Sequence, residues 1–264
     1  MSLLDNINKR KSERDFDSSF LDENTLNKIQ TIFDSSPHLF EGIKTKYHII
    51  DSNNSLYKEI KGIIGSNKKV SSPYYAILTT EYKPGYRQSL GYSLAYSVLS
   101  LNNIGIGSCI VYPSFNEEIF KKKLKLKENE VTGIFIAFGR SKDPLNFYPK
   151  PSYYKRRDIE DIVLSGEISP ISKLVLDSLR LAPSSFNSQP WRIYLEENKI
   201  HLLRVKLGFI KSALFESLNK IDMGIALFYI LVTLKEKNIE FSLIKEPFNN
   251  EIGEYMITIK YKES

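Results

Sequence analysis

Apolar residues recur along this chain in two rhythms, one helical and one of strands, and their alternation predicts its elements. Leu26, Ile29, Ile32 and Phe33 return at helical spacing behind Asp22, a good capping residue, so Leu21 to Phe33 reads as a helix. Thr45 to Asp51 alternates as a strand, Ile60 to Ile64 is a short apolar helical stretch, and Tyr74 to Thr80 is a continuous apolar run suited to a buried strand. Arg87 to Asn102 is predicted as a long helix of unusual texture. Ser89, Ser93, Ser97 and Ser100 form a stripe of small side chains beside Leu90, Leu94, Val98 and Leu101, a surface that would let another helix approach closely. A glycine-marked turn and apolar strand follow in "IGIGSCIVYPS". Val131 to Gly139 is a further buried strand, and Asp158 to Val163 reads as a short helix.

The last hundred or so residues repeat the scheme. Ser169 caps a helix whose first position suits Pro170, with Leu174, Val175, Ser178 and Leu179 facing inward. "WRIYLEE" and "IHLLRV" read as a hairpin, Ile221 to Lys235 as a second long apolar helix, and "FSLIKE" and "EYMITIKYK" as closing strands. Set side by side, residues 33–50 correspond to 181–195, with Ser35-Ser36 against Ser184-Ser185. The helix carrying Gly91 corresponds to the one carrying Gly224, and "GIFIAFGRS" to "EYMITIKYK". Both halves follow one plan: helix, Ser-Ser turn, strand, long helix, strand, strand.

Composition narrows the classes. The 264 residues, 42% hydrophobic and 26% charged, suit an ordinary globular protein with a real core. A net charge of +6 suits anionic ligands, but the lysines are scattered and the dense run Lys121 to Lys127 reads as a solvated surface, so no nucleic-acid partner is expected. A single cysteine, Cys109, excludes an intramolecular disulfide, and three histidines without ligand-like spacing argue against a metal site. The N-terminus lacks a signal-peptide core. Met223 to Leu234 is shorter than the roughly 20 residues of a membrane span. A cytoplasmic protein without membrane attachment is the expectation.

Three stretches carry candidate chemistry. Ala182 to Trp191, "APSSFNSQPW", sets Ser184, Ser185, Asn187, Ser188 and Gln189 between Pro183 and Pro190. Both prolines break regular structure, and the Asn and Gln amides each offer a donor and an acceptor to the edge of a planar heterocycle. As plain composition this is also an ordinary polar turn. Arg10, Lys11, Ser12 and Arg14 form a short basic segment able to hydrogen-bond a phosphate, or simply to be solvated. Lys155, Arg156 and Arg157 are a second basic cluster with the same two readings.

Together these stretches resemble the nitroreductase family of FMN-dependent oxidoreductases. "APSSFNSQPW" is similar to that family's flavin-contacting turn, the Arg-Lys-Ser-x-Arg opening to its N-terminal signature, "GIGSC" to its Gly-Leu-Gly pattern, and Arg156-Arg157 to its closing basic pair. The resemblance covers nearly the whole chain. It implies an α+β, nitroreductase-like fold of two pseudo-two-fold tandem lobes, residues 1–165 and 166–264, with mixed or antiparallel sheets packed by helices around two long central helices. Relatives are two-fold dimers that assemble each flavin site from both chains. Here the first half keeps the opening and the closing basic pair, the second half keeps the polar turn, and these surviving parts add up to one complete site.

By this resemblance Arg10, Lys11, Ser12, Arg14, Arg156 and Arg157 would hold the FMN phosphate and ribityl end. Arg14 is also the candidate for a positive charge near the flavin's N1/O2 edge. Pro183, Ser184, Ser185, Asn187 and Gln189 would meet the pyrimidine side or the ribityl hydroxyls, Ile110, Val111 and Tyr112 would run beneath the ring, and Trp191 would serve packing. No side chain is needed as acid or base. The implied activity is hydride transfer from NAD(P)H through FMN to an electron-poor acceptor such as a nitroaromatic or a quinone. The implied assembly is a monomer containing an internal pseudo-dimer, with a homodimer as the alternative. One departure stands out: where relatives place a small residue with a free amide, this chain has Val111-Tyr112-Pro113, and Pro113 has no amide. That leaves two rival readings, a flavin carrier without turnover and a pseudo-enzyme kept as an interaction scaffold.

Overall fold

The computed structural model describes residues 2–62, 70–148, 155–206 and 209–262, with no side-chain account of 209–214. Contacts divide the chain into two compact units: residues 9–150, and residues 2–8 together with 151–264. The lobes expected from sequence divided at 165/166; the contacts group Arg156, Arg157 and the first few residues of the chain with the second unit.

The first unit holds α2 (Glu23–Asp34), β1 (Thr45–Asp51), α3 (Ser55–Glu59), β2 (Tyr74–Glu81), α4 (Tyr86–Asn103), β3 (Gly107–Val111), α5 (Glu117–Lys123) and β4 (Glu130–Gly139). Asp22 caps α2 as expected, accepting from the Thr25 amide at 2.9 Å. Of the short apolar helix predicted at Ile60 to Ile64, residues 60–62 are not helical. The helical turn lies earlier, in α3, because the Asn54 side chain caps it by accepting from the Leu56 amide, and residues 60–62 continue as irregular chain. Ile63 and Ile64 fall outside the described residues. The strands pair antiparallel in the order β1-β2-β4-β3. β2 is buried along almost its whole length, as its unbroken apolar run requires.

Helix α4 is buried on nearly every face, and three serines of its stripe make hydrogen bonds out of the helix. Ser93 Oγ donates to the Pro37 carbonyl at 2.7 Å, Ser97 Oγ to Tyr47 Oη at 2.9 Å, and Ser89 Oγ to the Ile43 carbonyl at 3.4 Å. The stripe therefore ties the helix to the irregular segment and strand that follow α2, satisfying backbone carbonyls that burial would otherwise strand.

The second unit holds α1 (Leu3–Ile7), α6 (Ile159–Ile162), β5 (Val163–Ser165), α7 (Pro170–Arg180), β6 (Trp191–Glu196), β7 (Lys199–Val205), α8 (Phe209–Glu236), β8 (Phe241–Ile244) and β9 (Gly253–Tyr261). Its sheet runs β5-β6-β7-β9-β8, antiparallel except for β5 against β6. Setting aside β5 and the short helices α1, α3, α5 and α6, each unit runs helix, two strands, long helix, two strands, with the same spatial order and the same orientations. In α7, Ser169 caps as predicted, while Leu174 points outward at 41% exposure and Val175, Ser178 and Leu179 make the inner face.

Helix α8 starts well before the predicted Ile221 because Phe209 to Lys220 is itself compatible with helix. Residues Phe215–Glu236 are long and apolar enough to cross a bilayer by composition, and 89% of their most apolar 18-residue stretch is buried inside the protein. Its end is clamped by α1, whose first two amides, from Leu3 and Leu4, donate to the Glu236 carboxylate at 2.9 and 3.1 Å. A carboxylate at a helix N-terminus meets both unpaired amides and the positive end of the helix dipole.

Candidate functional site

In the first unit, the basic N-terminal segment lies along β3. The Glu13 amide donates to the Ser108 carbonyl at 2.9 Å, and downstream the Asp17 amide donates to the Arg140 carbonyl at 3.0 Å. What shapes the segment is Glu13 itself, a buried residue that sequence reasoning passed over. Its carboxylate accepts from the amides of Arg14 and Asp15 at 3.0 and 3.1 Å and from Ser141 Oγ at 2.6 Å, with the Lys11 ammonium at 3.5 Å. Gly107 makes room for it, since a Cβ there would lie 2.9 Å from Glu13 Cγ. Arg10 is buried, Lys11 and Ser12 are half-buried, and Arg14 is exposed. Burial raises the Cys109 thiol pKa, and the charges of Arg14 and Arg10 oppose that rise. Val111 is buried at the end of that strand, with Ile110 and Tyr112 half-buried beside it and Pro113 buried beyond.

In the second unit, the structure brings the basic pair against the polar turn. Arg156 Nη1 donates to Asn187 Oδ1 at 2.5 Å, and Asn187 Nδ2 donates to the Lys155 carbonyl at 2.8 Å. The Arg157 amide donates to Gln189 Oε1 at 2.8 Å. The Gln189 amide in turn donates to Ser184 Oγ at 2.9 Å, which closes the turn on itself. Three of its residues, none of them glycine, have left-handed backbone: Phe186 at φ 53°, Asn187 at 55° and Gln189 at 47°. Asparagine tolerates that region, but phenylalanine and glutamine do so at a cost. Phe186 carries its ring outward at 61% exposure, edge-on to Phe215 at 5.5 Å.

Two further cations adjoin the turn. Arg180 Nε donates to the Arg157 carbonyl at 2.8 Å, and Arg192 Nη1 donates to the Gln189 carbonyl at 3.2 Å. Burial, and next the nearby Arg157, make Arg192 harder to protonate. Behind the turn lies Asp222 of α8, also missed from sequence. Its carboxylate accepts from the Ser185 amide at 3.0 and 3.1 Å and from Ser185 Oγ at 3.1 Å. Burial pushes its pKa up to about 7, opposed by the Ser185 and Ser188 donors. A lone acid inside the apolar run "IDMGIALFYILV" was the available signal for it. No such signal marked Glu13. Pro183 is buried at the base of the turn, and Trp191, fully buried, opens β6 and serves packing.

Chemically, each cluster is a set of donors suited to an anion or a polar heterocycle, shaped by one buried carboxylate. No group of three or more His, Cys, Asp or Glu residues that could hold a metal ion occurs among the described residues.

An α+β chain of two helix-flanked sheets, carrying these polar and basic loops, is the class that the fold defines. Residues 2–233 match the family model described as "Putative TM nitroreductase", and the chain belongs to that nitroreductase family. Among solved structures, a nitroreductase from Thermotoga maritima aligns over 99% of this chain and 93% of its own, with a TM-score of 0.64 and 19% identity. A nitroreductase family protein from Clostridium novyi covers 58% of this chain and 92% of its own, with a TM-score of 0.46 and 22% identity. A nitroreductase with bound FMN from Desulfitobacterium hafniense covers 53% of this chain and 89% of its own, with a TM-score of 0.44 and 16% identity. No curated protein matches the sequence.

Proposed function

We propose that this chain is an FMN-dependent oxidoreductase that passes hydride from NAD(P)H to an electron-poor acceptor, a nitroaromatic or a quinone. The observation that carries the reading is the meeting of Arg156 and Arg157 with Asn187 and Gln189 in one loop cluster of a nitroreductase-family chain. The donor set fits the cofactor. Guanidinium groups and a serine hydroxyl are the partners a phosphate dianion takes, and carboxamides match a ring edge that both donates and accepts.

Arg10, Lys11, Ser12, Arg14, Arg156 and Arg157 would hold the phosphate and ribityl end. Pro183, Ser184, Ser185, Asn187 and Gln189 would meet the pyrimidine side or ribityl hydroxyls, and Ile110, Val111 and Tyr112 the underside of the ring. Arg10, Lys11, Ser12 and Arg14 belong to the first unit, while Arg156 and Arg157 belong with the polar turn to the second; the assembly we propose is a monomer. When bound, FMN supplies the hydride-accepting centre, and the protein supplies orientation, charge and exclusion of water. Excess positive charge from Arg14 and the Arg156–Arg157 pair would favour the more negative, reduced state of the cofactor. No side chain is required as a general acid or base.

One feature favours a second reading, a flavin carrier without turnover. Pro113 offers no amide and Tyr112 stands beside it, so acceptor access could be blocked. A visible spectrum decides between the readings. Purified protein titrated with FMN should turn yellow and quench flavin fluorescence, and added NADH or NADPH should bleach the bound colour. Protein that stays yellow is a carrier, and protein that neither colours nor quenches is neither.

A further inference from the structure

Asp222 is 2% exposed in the most apolar helix of the chain, yet the groups set against its carboxylate come from the turn. Ser185 presents its amide to both oxygens and its hydroxyl to one of them, and the Ser188 hydroxyl stands 3.5 Å from the other. Every one of these groups can donate and an ionised carboxylate only accepts, so the turn's donors oppose the burial that otherwise favours the protonated acid. Among the described residues no cation is one of the groups that set its ionisation: burial comes first, then the donors of Ser185 and Ser188. A buried carboxylate without a cation is a costly way to fill a helix position that an apolar residue would fill better.

That cost coincides with a second one. Phe186, Asn187 and Gln189, immediately after the tethered Ser185, hold left-handed backbone without glycine. Such strain persists only where surrounding structure over-determines it. The tether at Ser185 and the Gln189-to-Ser184 bond enclose the strained residues from both ends.

We propose that Asp222 is a positioning residue for cofactor binding: its carboxylate holds Ser185 so that Asn187 and Gln189 keep the left-handed geometry that seats them against Arg156 and Arg157. This deepens the flavin reading above and rests on it. In this role Asp222 acts through the turn, by its bonds to Ser185.

The test is Asp222→Asn in the full-length protein. The substitution keeps shape and one acceptor but turns the other oxygen into a donor facing the turn's own donors. FMN affinity is read from quenching of flavin fluorescence, and the melting temperature is read without FMN near pH 8. The expected result is FMN binding at least ~10-fold weaker, about 1.4 kcal/mol, with a melting temperature equal to or above that of the unsubstituted protein. Unchanged affinity would overturn the proposal. So would weaker binding accompanied by a lower melting temperature or loss of the fold, since Asp222 would then be structural only. If the unsubstituted protein fails to bind FMN, the flavin reading itself falls, and the proposal with it.

Discussion

The burial of Asp222 makes a quantitative claim on stability. Its carboxyl rises from an ordinary value of 3.8 to about 7 in the folded chain, chiefly because burial disfavours the charge. The folded value lies above the unfolded one, so folding favours the protonated acid. The resulting contribution is fully present below about pH 3.8 and is lost as pH rises through about 7. At about 1.4 kcal/mol for each pH unit between the two values, the loss amounts to about 4 kcal/mol. From about pH 5 to about pH 8 about 3 kcal/mol of that remains to be lost. An Asp222→Asn chain is neutral there throughout and lacks the term. All other titrations are common to both proteins and cancel in the difference.

Calorimetry without flavin, run on both proteins across that range, should show the unsubstituted protein losing ground steadily. At about 2–4 °C per kcal/mol for a chain of this size, the gap between the melting temperatures should move by about 6–12 °C. A gap that stays constant with pH would mean that the acid titrates alike in the folded and unfolded chains, and the argument from burial would fail. A gap moving the opposite way would mean that the turn's donors outweigh the burial.

Two further substitutions probe how the loops are held. Glu13→Ala strips acceptors from the amides of Arg14 and Asp15 and from Ser141 Oγ, and should cost about 3 kcal/mol. Urea unfolding would show it as a clearly lower midpoint, and a midpoint unchanged would remove Glu13 from the role assigned here. Gly166→Ala forces a side chain onto a backbone at φ +96°, with its Cβ 2.0 Å from the Leu195 carbonyl oxygen. It should cost about 3 kcal/mol or more and detach the end of β5 from β6; a melting temperature within about 2 °C of the parent would contradict that.

Much of the fold was legible in the pattern of apolar positions. The caps Asp22 and Ser169 and the buried strand at Tyr74 carry local signals strong enough to read directly. The stretch from Ile60 to Gly62 is irregular where helix was expected, because a short apolar run suits helix or loop equally, and the Asn54 cap sets the helical turn upstream. Leu174 misled for a different reason: helical spacing places several apolar residues near one face, and packing decides which of them sits at its margin. The serine stripe of α4 was visible, but not its purpose, since its partners are two carbonyls and a tyrosine hydroxyl more than 40 residues away in sequence.

By itself, then, the sequence determined most of the longer strands and helices, among them the two long apolar helices, and the residue types of three candidate loops, because periodicity, caps and short motifs are local properties; the short elements α1, α3, α5 and β5 it did not. Only the tertiary structure decided what holds those loops in shape. Glu13 and Asp222 gain their roles from burial and from hydrogen bonds to donors that folding delivers, and a carboxylate's environment is a property of three dimensions. The same holds for the left-handed backbone at Phe186 and Gln189: nothing in those residue types asks for it, and the surrounding bonds impose it.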